Sequence, residues 1–467
     1  MADVEPVLAA AEKGFEASLE RMFTLIRFPT VATDPKYHGE CRKAADWLVG
    51  LLGELGLQAE TRETTGQPVV VGKSPAGQSQ PHAPHILFYG HYDVQPADPL
   101  DLWETPPFEP QIRTGKDGRQ RIFARGASDD KGQLLTFLEA SRAWLAVHGQ
   151  LPFRLTVLLE GDEEGDSTHL DLFLKDNAAE FACDSVFICD SGMWDPKTPA
   201  IDTMMRGCIC DEVTITGPRI DLHSGYYGGA AVNPIKVLAR ILGGLHDRNG
   251  RVTIRGFYDG VKPPTPAQRK QWAKLKFSPK KFLSDVGLKI PAGEKGFSPL
   301  EQMWARPTAE VNGIYGGYRG AGSKTVLPSE ATGKISFRLV AGQDPKKIRK
   351  AFRAHVKALL PKDCKARFQD FGGDSSGITV ANDTPYIAAA HVALNAEWGR
   401  PAVEVGSGGS LPVVESFRKR LGVDSLLVGF ALEDDRVHSP NEKYDVESYR
   451  KGIRTWARII AELSGKV

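Results

Sequence analysis

The chain is poor in cysteine. Its six (Cys41, Cys183, Cys189, Cys208, Cys210 and Cys364) in 467 residues follow no dense, regular spacing. That excludes the disulfide framework of small secreted domains and points to reduced thiols in a cytoplasmic chain. Cys208 and Cys210 could form a soft metal pair, but no second pair accompanies them, and two alternating strand positions account for the spacing. No apolar run approaches the roughly 20 residues that cross a bilayer. The start, Met1-Ala2-Asp3-Val4-Glu5-Pro6, has neither the basic opening nor the apolar core of a signal peptide and reads as the front of a helix. Charge of one sign is missing too. Lys and Arg number 59 against 58 Asp and Glu, a net charge of +1, with no long basic block. The main electrostatic reason to expect nucleic acid or an anionic membrane is therefore absent.

What is present is ordinary for a soluble globular protein: 41% hydrophobic and 25% charged residues. The length exceeds that of a usual single domain, so two domains are expected. Helical periodicity runs over 6–27 and 41–55, and further helices are expected over 134–146, 234–245, 346–360 and 446–463. Short apolar runs at 69–71, 86–89, 155–159, 186–189 and 425–430 read as buried strands, with a polar loop at 77–81. Strands alternating with helices imply an α/β layer with a mostly parallel central sheet. From about residue 208 the style changes. Residues 211–216 and 333–339 alternate polar and apolar, as strands with one solvated or helix-covered face do. Between them lies a long polar segment with Pro263, Pro264 and Pro266. The expected layout is an α/β domain, 1–209 and 386–467, interrupted by an inserted α+β domain over 210–385.

Acidic residues and histidines collect at the ends of the apolar runs. His91 and Asp93 sit two apart at a strand end, so they face one side. A histidine there can ligate a metal while the carboxylate orients its other ring nitrogen; a buried histidine satisfied by a local aspartate would look the same. Asp129-Asp130 precede a helix, which suits a bridging carboxylate or an N-cap, although capping explains one aspartate more readily than two. Glu163-Glu164 follow the strand 155–159. One could bind metal while the other faces an attacking water, or the run Glu160 to Asp166 could be a solvated acidic loop. The strand-end position favours a site. Asp190 ends the strand 186–189, and His438 follows the loop after the last strand. Carboxylates mixed with imidazole suit two divalent ions, zinc first, with manganese or cobalt also accommodated.

These residues sit in longer motifs that resemble the M20 family of metallopeptidases, specifically its carnosinase-like dipeptidase branch. The resemblance spans nearly the whole chain. It rests on Gly90-His91-Tyr92-Asp93-Val94-Gln95-Pro96, Trp103-Glu104-Thr105-Pro106-Pro107-Phe108, Arg125-Gly126-Ala127-Ser128-Asp129-Asp130-Lys131-Gly132, Asp221-Leu222-His223-Ser224-Gly225, Lys324-Thr325-Val326-Leu327-Pro328 and Gly408-Gly409-Ser410-Leu411-Pro412. It implies a zinc-peptidase-like catalytic domain and an inserted lid that dimerises. It also implies hydrolysis of a small peptide by metal-activated water.

Carried over by position, the resemblance makes His91, Asp129, Glu164, Asp190 and His438 the ligands, with Asp129 bridging and its bond to Asp130 cis. It makes Glu163 the general base and Asp93 the carboxylate behind His91. His223, on sequence alone a surface histidine in a Gly-rich loop, becomes an oxyanion-stabilising residue reaching the partner subunit's site. Asn312, Thr325, Arg338 and Ser410 resemble substrate-binding positions, Arg338 through a bidentate fork to a carboxylate. Two departures stand out. Residues 165–168 differ locally after the glutamates. The stretch Phe371 to Gly377 lacks the histidine of carnosinase-like members, which leaves the preferred dipeptide open. The alternatives are an M20 deacylase of N-acyl amino acids, with the same metal chemistry, and a non-catalytic relative, which would normally have lost ligands.

Overall fold

The computed structural model describes residues 3–75, 83–165 and 167–465; the expected polar loop at 77–81 and Asp166 lie outside these ranges. The chain forms two compact units. One comprises 1–203, 380–405 and 416–467, the other 204–379 and 406–415.

The first unit is built on one large sheet. Its order begins Gln58–Arg62, Val69–Lys73, Arg154–Glu160, His85–His91, Ser185–Ile188, Ser425–Leu427, Ala200–Met205. The strand His85–His91 runs parallel to both neighbours, and Ser425–Leu427 runs parallel to Ser185–Ile188. The flanks are antiparallel. The mostly parallel arrangement expected of the sheet is found in its four central strands. The first antiparallel flank has a local reason. Residues 63–68 are too few for a crossover, and a connection that short can join only antiparallel strands. The central strands read as continuous apolar runs because both faces are covered. Phe88 and Phe187 are fully buried there, beside Phe137 of the helix Lys131–His148 and Trp456 of Val446–Ser464. A small second sheet pairs Lys443–Asp445 with Gln120–Phe123 and brings residues 442 and 124 together.

The second unit is a four-stranded antiparallel sheet in the order Thr308–Gly316, Glu330–Leu339, Gly207–Thr216, Lys365–Asp370. Burial alternates along Gly207–Thr216. Ile209, Val213 and Ile215 pack with Leu238 and Ile241 of the helix Pro234–Gly243 and Phe352 of Pro345–Ala358. The residues between them, Cys208, Cys210 and Glu212, are only partly buried.

Candidate metal centre

The candidate ligands gather at the carboxyl ends of the parallel strands, where an open α/β sheet leaves a crevice. His91 closes its strand and is fully buried. Its Nδ1 lies 3.2 Å from the Asp93 carbonyl oxygen and 3.4 Å from Asp93 Oδ1. Those oxygens can only accept, so Nδ1 carries the proton and the Nε2 lone pair is free for a cation. Nε2 points at Asp129 Oδ1, 3.0 Å away, and Asp190 Oδ2, 3.8 Å away.

Asp93 has a second task. Its Oδ1 accepts the backbone N–H of Glu163 at 3.1 Å and its Oδ2 that of Glu164 at 3.0 Å. One buried carboxylate thus aims the His91 ring and pins the loop that carries both glutamates. Glu164 Oε2 accepts from Gln95 Nε2 at 2.7 Å and lies 3.3 Å from His438 Nε2. His438 also stands 3.1 Å from Asp129 Oδ2. Its loop holds Arg436, His438 and Asn441 at positive φ, a conformation that costs non-glycine residues on the order of 1 kcal/mol and recurs where a side chain must be aimed.

The result is two ligand groups that share one residue: His91, Asp129 and Asp190, then Asp129, Glu164 and His438, each with ligand atoms within 4.8 Å of one another. Asp129 spans them, one carboxylate oxygen toward each histidine. Burial opposes its ionisation, but hydrogen bonds from His438 and His91 hold the carboxyl well below the usual range. Burial, reinforced by the Asp129 charge, pushes the Asp190 carboxyl up to about 7. Burial also raises Glu163, against the favourable charge of His91. Three carboxylates and two imidazole nitrogens crowd together in the two groups. Anions so placed repel unless a cation joins them, and this donor set matches hard to borderline divalent ions. The residues therefore fit two metals. Glu163 belongs to neither group.

Asp130, joined to Asp129 by a cis peptide, belongs to neither ligand group. Its Oδ2 accepts the His91 backbone N–H at 3.1 Å.

Sequence reasoning missed Glu442. This fully buried carboxylate accepts from Arg125 Nη1 at 2.7 Å and from the N–H groups of Gly126, Ser128 and Asp129 at 2.9, 2.9 and 3.1 Å. It fixes the loop that presents Asp129. Asp435 adds a tie, accepting from Ser128 Oγ at 2.8 Å. The available signal was a glutamate four residues after the candidate ligand His438.

The other expected residues lie in the second unit. His223 is exposed; its Nδ1 accepts the Gly225 N–H at 3.0 Å, which leaves Nε2 as the donor. Ser224 donates its backbone N–H to the Thr325 carbonyl at 3.0 Å, so His223 and Thr325 sit on neighbouring segments. Asn312 occupies the register shift between Val311 and Gly313, a bulge that re-aims its side chain. Arg338 Nη1 donates to Ser410 Oγ at 3.3 Å, which joins that pair.

The model of Peptidase family M20/M25/M40 matches residues 87–462. The chain belongs to this family. As an M20 member it is a metallopeptidase, a hydrolase of peptide bonds. It is 30% identical to the Cys-Gly metallodipeptidase of Candida albicans over 470 residues, covering 97% of this chain and 96% of that one. It is 28% identical to the human beta-Ala-His dipeptidase over 408 residues, 84% of this chain and 79% of the other. The solved structure of a dipeptidase from Saccharomyces cerevisiae matches with a TM-score of 0.80 and 28% identity, over 99% of both chains.

Proposed function

We propose that this M20 peptidase cleaves dipeptides in the cytoplasm, using two divalent ions with zinc as the first choice and manganese or cobalt as alternatives. The observation that carries the reading is the pair of ligand groups joined at Asp129, with Glu163 beside them and in neither. The dipeptide class is supported by the relatives named for Cys-Gly and beta-Ala-His. All six cysteines are free, which suits a reducing compartment.

His91, Asp129 and Asp190 would hold one ion and Asp129, Glu164 and His438 the other. Ions held there polarise the scissile carbonyl and acidify water. Glu163 takes a proton from the attacking water and returns it to the leaving amine. Asp93 keeps that step in register, since it holds both the His91 ring and the Glu163 N–H. Arg338, with Ser410, Asn312 and Thr325, recognises the substrate, Arg338 at its carboxylate. In keeping with the family resemblance, the inserted segment acts as a lid and makes the homodimer, and His223 stabilises the oxyanion in the partner subunit's site.

The deciding experiment is a panel of dipeptides and N-acyl amino acids assayed before chelation, after chelation and after return of zinc, manganese or cobalt. Dipeptide cleavage lost with the chelator and restored by metal is expected. Cleavage of N-acyl amino acids with no turnover of any dipeptide would overturn the reading.

A further inference from the structure

Cys208 and Cys210 lie two apart on the strand Gly207–Thr216, so both side chains project from one face of the sheet, the face opposite the core residue Ile209. The register sets Cys208 directly across from Arg338 and Cys210 across from Ser336. The Cys210 thiol donates to the Cys208 sulfur, while Arg338 and Arg206 bring positive charge to it. Both guanidiniums are themselves anchored. Arg206 Nε donates to the Gly408 carbonyl at 3.0 Å and Arg338 Nη1 to Ser410 Oγ. The nearby carboxylate, Asp374, is held in a two-pronged ion pair by Arg349.

The other cysteines lack such a setting. Burial pushes the thiols of Cys41 and Cys183 up to about 12 and raises those of Cys189 and Cys364 as well. Cys210, as the donor in the pair, is also raised. At Cys208 the Cys210 hydrogen bond and the two arginines outweigh burial and Asp374, and bring the thiol down to about 6. The thiolate is the reacting form of cysteine, so at neutral pH Cys208 stands apart from the other five.

We propose that Cys208 is a modification site for small anionic disulfides, and that the adduct, lying beside Arg338, competes with the carboxylate of the peptide substrate. The second clause rests on the reading of Arg338 as the partner of that carboxylate. The Cys208 thiolate attacks one sulfur of the reagent. A new S–S bond forms to that sulfur as the reagent's own S–S bond breaks, and the other half departs as a thiolate carrying the electron pair. Cys208 is oxidised, the displaced half is reduced, and no further reactant is required. A carboxylate on the reagent is met by Arg206 and Arg338, which selects anionic disulfides over neutral ones. Cys210 is poorly placed to resolve the adduct. Alternate positions on a strand are about 6.7 Å apart, at the outer limit for a disulfide. The adduct therefore persists until an external thiol removes it.

The test treats the metal-loaded enzyme with oxidised glutathione and follows peptide mapping by mass spectrometry together with dipeptide kinetics. A mixed disulfide at Cys208 ahead of the other five cysteines is expected, with KM raised about tenfold, the loss of roughly one ion pair. The turnover number should be retained and dithiothreitol should reverse the effect. Cys208→Ser should be neither labelled at that position nor inhibited. Labelling spread evenly over the cysteines, or an unchanged KM at full Cys208 occupancy, would overturn the proposal. Arg338→Ala measured alongside separates the two readings. If its KM is normal, the assignment of Arg338 to the substrate fails, while the labelling still decides whether Cys208 is the modification site.

Discussion

The Glu442 carboxylate accepts the backbone N–H of Asp129 at 3.1 Å across 313 positions of sequence. Its remaining bonds reach Arg125, Gly126 and Ser128, and His438 lies on the same loop as Glu442 itself. One buried side chain thereby couples the loops that present two candidate ligands of one ion. Glu442→Gln should leave the buried Arg125 guanidinium without its ion-pair partner, a loss of about 3–5 kcal/mol by analogy with other buried pairs. Calorimetry and elemental analysis should show a lower Tm and reduced metal content. A variant that matches the parent in both would show that the clamp is dispensable.

Glu163, the proposed base, should give a different signature, because it belongs to neither ligand group. Glu163→Gln should bind metal with unchanged stoichiometry and lose roughly 10²–10⁴ in kcat, the usual contribution of a positioned base. Near-normal kcat would remove Glu163 from the proton-transfer role.

His223 is testable by mixing. Protomers carrying His223→Ala and protomers carrying Glu163→Gln should each be inactive alone. Heterodimers of the two should regain activity, since one of their sites would combine an intact base with an intact histidine. Heterodimers verified by mass and devoid of activity would mean that His223 does not act across subunits.

The pH behaviour of Cys208 has a definite sign. Its thiol is held down to about 6 against a usual 9.0, so the reactive thiolate is already formed at neutral pH. The iodoacetamide alkylation rate at this position should rise with pH to a half-maximum near 6 and then level off. Cys210→Ala removes the donor and should move the half-maximum upward. A half-maximum near 9 in the parent protein would refute the activation of Cys208.

Much of the site was legible because every candidate ligand except His438, which lies in a loop, ends or closely follows a strand or sits just before a helix, positions that leave a local mark. His91, Glu163, Glu164 and Asp190 each follow an apolar run, and Asp129 precedes the helix Lys131–His148. Glu442 left no such mark, because its partners are distant in sequence and its burial comes only with tertiary contact. The bulge at Asn312 is a property of register between two strands, which the pattern of one strand does not encode.

Other misses were local and readable. The first periodic segment divides into Glu5–Lys13 and Phe15–Ile26, with Gly14 at the break. The stretch read as a long polar segment contains the helices Pro266–Lys274, Pro279–Asp285 and Pro299–Trp304. Two of them open on capping boxes, Thr265 with Gln268 and Ser298 with Glu301, each followed by proline at the first helical position. Their weak amphipathic pattern hid them, whereas their start signals were plain.

The division of the first unit into 1–203, 380–405 and 416–467 also bears on the birth of the protein. Chains emerge from the ribosome N-terminus first, and domains fold as units once their parts are available. The strand Ser425–Leu427, the histidine at 438 and the clamp at 442 all emerge long after Asp129 and Glu163. A nascent chain of 400 residues holds Asp129 and Glu163 yet lacks the Glu442 clamp on the loop 125–129. A chain interrupted before residue 438 thus lacks one member of the second candidate ligand group, and purified truncations ending there should bind less metal than the parent.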